Sequence, residues 1–139
     1  MPNKTASPRR RPSRQQLRDL DLEITFLEGI VRRDSEYIEA LQILGDDYTR
    51  RGRFCEGLKI DERLARLRPD DSVAHYNLAC SYALTDQYDL AAEALDMAID
   101  LGYRDFKWMT QDPDLKKLRD QAEYKRIRAK LRQLKAKVR

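Results

Sequence analysis

A chain of 139 residues, 41% hydrophobic and 37% charged, has room for one modest core and excludes a large multidomain enzyme. It holds no run approaching the ~18 apolar residues of a membrane span. Its two cysteines lack paired spacing, which argues against a disulfide framework. The net charge of +4 hides a segregation: residues 1–18 carry six bases and no acid, residues 116–139 carry eleven bases against Asp120 and Glu123, and the stretch between is acidic.

Residues 1–15 read as a basic arm without regular structure. Its Pro8-Arg9-Arg10-Arg11-Pro12-Ser13-Arg14 tract offers mobile guanidinium groups that can displace counterions from a phosphate backbone. Arg9, Arg10, Arg11 and Arg14 are therefore candidate polyanion contacts, and the plainer alternative is a solvated leader. The start lacks the apolar core of a secretory signal; being Arg-rich and acid-poor it is similar to an organelle transit peptide, but Pro2, Pro8 and Pro12 oppose an amphipathic helix there. With two reduced thiols expected at Cys55 and Cys80, the cytoplasm is the expected compartment.

The segment 16–33 places Leu17, Leu20, Ile24, Leu27 and Val31 at helical spacing and predicts a capping helix. Asp34-Ser35 can cap a helix over about 36–51, which Gly52 ends. Phe54 opens another that runs to Leu67 and is stopped by Pro69. Asp71 or Ser72 caps the next, to about Thr85, and 87–101 forms its partner before Gly102. No period-two strand pattern competes, so the fold class is all-α.

Two of these stretches superimpose at an offset of 34 residues. Leu44, Gly45 and Tyr48 recur as Leu78, Ala79 and Tyr82, and Phe54, Gly57 and Leu67 recur as Tyr88, Ala91 and Leu101. Shifting back by the same step aligns Phe26 with Ile60 and Ile30 with Leu64, which makes 16–33 the second helix of a truncated repeat. Gly45, Ala79, Ala91 and Ala98 are small where crossing helices exclude bulk. The pattern Leu41-x-x-Leu44-Gly45-x-x-Tyr48, then Gly57 and Pro69, followed by His75-x-x-Leu78-Ala79-x-x-Tyr82 and Ala91, resembles the tetratricopeptide (TPR) repeat. It departs from that pattern at Leu41 and His75, where Trp is common, at Asp61 in place of an aromatic, and at Tyr103 in place of the closing Pro.

The resemblance implies a helix-turn-helix solenoid of about two full repeats, 36–68 and 71–102, with capping helices at both ends. It further implies a concave peptide-binding groove. The positions carried over are Gln42, Asp46, Thr49 and Arg50 from the first repeat, and Tyr76, Asn77, Cys80, Ala83 and Leu84 from the second. Tyr76 is the expected apolar anchor, Arg50 and Asp46 the orienting charges, and Asn77 the donor to extended backbone. A chaperone-type carboxylate clamp is disfavoured, because Gln42 and Asp46 stand where that clamp has Lys and Asn.

Beyond Gly102 the register decays. Residues 105–139 predict a short helix with Phe106, Trp108 and Met109, a start at Asp112-Pro113, and a closing helix whose Tyr124, Ile127, Leu131, Leu134 and Val138 form one stripe among Lys and Arg. This tail is expected to cap the last repeat and is able to fold back into the groove. Lys130, Arg132 and Lys135 are further candidate polyanion contacts.

No Gly-rich phosphate loop, no histidine pair at metal spacing and no nucleophile with a local base is present, and His75 is the single histidine. The expected function is a non-catalytic adaptor or scaffold that binds a protein or peptide, without cofactor or metal, as a monomer or weak homodimer. The alternative is a nucleic-acid- or ribosome-associated factor using the basic ends.

Overall fold

The computed structural model describes residues 11–138, and among these the regular structure is helical throughout, with no strand. Ser13 caps α1 (Arg14–Arg33) in a reciprocal arrangement. Its hydroxyl accepts from the Gln16 backbone N–H at 3.1 Å, while the Gln16 side chain accepts from the Ser13 N–H at 2.8 Å. The cap draws Arg14 and Gln15 into the helix, so the basic arm ends earlier than expected; Arg9 and Arg10 lie outside the described residues.

The second helix, α2 (Ile38–Arg51), starts later than expected. Asp34 Oδ1 accepts the Glu36 N–H at 3.1 Å and folds 34–37 into a turn, so Asp34 caps that turn instead of the helix. Gly52, at φ 85°, closes α2 in the left-handed conformation that favours glycine. Next come α3 (Phe54–Leu67), α4 (Ser72–Leu84), capped by Asp71 as expected, and α5 (Tyr88–Asp100). The register survives in the turns, because Asp86, 34 residues after Gly52, is also left-handed at φ 62°.

Each of α1 to α5 packs on its neighbour. One core joins Ile24, Leu27 and Val31 of α1, Leu41, Leu44 and Tyr48 of α2, and Ile60 and Leu64 of α3. Gly45 is required where α2 crosses α3: a Cβ there would stand 3.1 Å from Ile60 Cγ2 and 3.2 Å from Asp61 Oδ1. The repeat also extends to a polar tie. Tyr48 donates to Glu28 and, one register step later, Tyr82 donates to Glu62 at 3.3 Å, so α1 stands to α2 as α3 stands to α4.

The second core combines Ala79 and Cys80 of α4 and Ala91, Leu95, Ala98 and Ile99 of α5 with the C-terminal segment. That segment comprises α6 (Phe106–Met109), a 3-10 turn at Pro113–Leu115, α7 (Lys116–Arg119), a second 3-10 turn at Ala122–Tyr124, and α8 (Lys125–Val138). Met109, Leu115, Leu118 and Ile127 are wholly buried, which fixes the segment to the stack by side chains that each contribute about 1.5–3 kcal/mol.

Candidate functional site

The positions expected to line one groove divide into two environments. On α4, Tyr76 is 0% exposed: its ring stacks on Tyr103 at 4.1 Å between centroids with 3° between planes, and its hydroxyl donates to Asp112 Oδ2 at 2.7 Å. Burial pushes both phenols well above their usual range. Cys80 is buried against the same carboxylate, its Sγ 3.7 Å from Asp112 Oδ2, and Asn77 and Ala83 are buried too, while Leu84 is half-buried. This corrects the expectation of Tyr76 as an accessible anchor and Asn77 as an outward donor. The C-terminal segment covers that half of the face, and Tyr76 serves as core.

Asp112 organises the cover. Its Oδ1 accepts the Asp114 N–H at 2.9 Å, the cap that its place before Pro113 predicts, and its Oδ2 takes the Tyr76 hydroxyl. The Arg119 guanidinium donates to the carbonyls of Met109 and Asp112, each at 3.0 Å, tying α7 to the turn before it. Donor atoms of Cys80, Asp112 and Asp114 lie within 4.8 Å of one another, the one such grouping among the described residues. Both Asp112 oxygens are already used by protein donors, so the cluster is accounted for as the anchor of the segment.

On α2 the same register positions stay accessible. Gln42 and Asp46 are half-buried, Arg50 is exposed, and they follow one helix face. Thr49 turns inward instead, its hydroxyl donating to the Gly45 carbonyl at 3.1 Å, which removes it from the surface. Arg50 closes a cleft of about 210 Å³ whose other walls are Gln16, Asp19, Leu20 and Glu23 of α1. Behind it, Asp47 is 2% exposed, and its Oδ2 finds no donor as a carboxylate. Burial, then hydrogen bonding to Glu23 and the charges of Glu23 and Asp46, push Asp47 up to about 8 against the opposing pull of Arg50. Below that range Asp47 holds its proton in the folded chain. Neither Asp47 nor Glu23 was placed in the site from sequence.

At the basic ends, Arg11, Arg14, Arg132 and Lys135 are exposed. Lys130 is held by Asp96 and Asp100 of α5, so it fastens α8 to the stack and is not a free cation.

No family model matches the chain. Over 100 residues, 70% of its length, it is 33% identical to a chloroplastic protein of Arabidopsis thaliana, and it spans 28% of that protein. No described helix is long and apolar enough to cross a membrane.

Proposed function

We propose that the chain is a TPR-like protein-binding module without chemistry of its own. Its ligand surface is the half of the concave face that the C-terminal segment leaves open: Gln42, Asp46 and Arg50 of α2 together with Asp19 and Glu23 of α1. The observation that supports this reading is the cleft between α1 and α2, walled by side chains of both signs and bordered by a helix face that follows the 34-residue register. Such a surface recognises a protein segment by a few oriented charges on a rigid scaffold. The polyanion reading rests on Arg11, Arg14, Arg132 and Lys135, which are exposed at the two ends.

Affinity capture with the full chain, after nuclease treatment and against an Asp46→Lys, Arg50→Glu double variant, tests the module. A partner retained through nuclease and lost in the variant supports it. Partners lost to nuclease and to salt, and indifferent to the variant, move the function to the basic ends. For the compartment, the sequence favours the cytoplasm whereas the plant relative is chloroplastic by name. A fluorescent fusion distinguishes the two.

A further inference from the structure

The most exposed large apolar side chains among the described residues are Leu22, at 71%, and Phe26, at 68%, one turn apart on α1. Phe26 corresponds in the register to Ile60, which is 6% exposed because α2 lies across it at Gly45. The face of α3 that α2 covers thus has its counterpart on α1, where among the described residues no helix covers it. The missing helix would correspond to residues 4–17. There Ser7, Arg10 and Arg14 stand where α2 has Leu41, Leu44 and Tyr48, so residues 4–17 do not repeat the apolar positions of α2.

Charge says what would fill it. Asp19, Glu23 and Phe26 follow one another at helical spacing and Leu22 stands one turn before Phe26, so the acidic wall of the cleft and the apolar stripe form one continuous surface. Asp46 of α2 adds a further acid beside Arg50, and Arg18 and Arg33 are exposed on α1. We propose that this open end of the stack is the docking surface for an amphipathic helix of a partner protein, whose apolar stripe covers Leu22 and Phe26 and whose α2-facing edge carries lysine or arginine. Gly29 sits on the same face with only Arg32 Nη2, at 3.8 Å, near its absent Cβ, which leaves room for a close helix approach. An antiparallel pair of two copies would instead set acidic edge against acidic edge. The molecule already uses this chemistry at its other end, where Lys130 of the basic amphipathic α8 is held between Asp96 and Asp100.

The proposal rests on the module reading and names its partner class. The test uses the full chain and two synthetic helical peptides of about 20 residues, identical in their leucine stripe, one edged with lysine and the other with glutamate. Fluorescence anisotropy should show the lysine peptide binding with an affinity that falls with salt, about tenfold weaker with Phe26→Asp, and a reversed peptide preference with Asp19→Lys, Glu23→Lys. Phe26 is exposed, so circular dichroism should show Phe26→Asp folded. Equal binding of both peptides, binding indifferent to Phe26→Asp, or a concentration-dependent dimer that Phe26→Asp abolishes would each overturn the proposal. A natural partner retained by Phe26→Asp but lost in the Asp46→Lys, Arg50→Glu variant would overturn the helix and leave the module reading standing.

Discussion

Gln42, Asp46 and Arg50 on α2 and Tyr76, Cys80 and Leu84 on α4 occupy the same places in the 34-residue register, yet Arg50 lines a cleft while Tyr76 and Cys80 are buried in one core with the C-terminal segment. The difference follows from what each half has to cover it. The segment after α5 supplies Tyr103, Met109, Leu115 and Leu118 as a roof and Asp112 as a tie, whereas among the described residues no such segment lies over the α2 positions. One helical face serves as core where an apolar cover follows it in the chain and remains surface where none does.

The sharpest way to break this comparison is Tyr76→Ala. Loss of the stacked ring and of its hydroxyl's bond to Asp112 Oδ2 should cost about 3–5 kcal/mol, read as a large drop in the urea midpoint. A variant that unfolds like the wild type would show the face is not core. Gly45→Val tests whether α2 and α3 cross as tightly as the 3.1 Å approach to Ile60 implies, with an expected loss of about 1–3 kcal/mol. Gly29→Ala, on the uncovered face, should do the reverse and gain about 0.5–1 kcal/mol by helix propensity, so a matched pair of melts reads covered against uncovered.

Asp47 sharpens the comparison through pH. Its carboxyl is raised from 3.8 to about 8 in the folded state, so between those values the folded chain holds a proton that the unfolded chain has lost. Stability should therefore fall as pH rises across that window, and Asp47→Asn should remove on the order of 1–2 kcal/mol of the fall. Identical pH profiles for the two proteins would refute the raised carboxyl at Asp47. The smallest effect is expected at Asp86→Gly, which relieves the left-handed strain at φ 62° but forfeits the Tyr88 hydrogen bond, for a net gain of about 0.5 kcal/mol in thermal melts.

Local punctuation was legible in the sequence. Gly52, Phe54, Pro69 and Asp71 place the limits of α3 and the start of α4 where the structure has them, because a cap or a left-handed turn needs only its near neighbours. Asp34 misled for a related reason: its carboxylate had two local donors to choose from and took the turn. Asp112 was legible as a cap, but its second oxygen meets Tyr76 36 residues away, and no spacing rule announces a bond of that kind. Tyr103, noted as a departure from the closing proline, proves to be the ring that stacks on Tyr76. In the site itself, Arg50 and Asp46 were found by register, while Glu23 and Asp47 were missed, since adjacent carboxylates on a helix give no hint of which one turns inward.

The two thiols give the molecule a built-in chemical clock. Cys55 is exposed and Cys80 lies under the Asp112 turn, so a thiol reagent applied to the native chain reacts with the first directly and with the second only during excursions that lift the C-terminal segment. The ratio of the two rates reports the free energy of that opening, separately from global unfolding, without a label or a substitution.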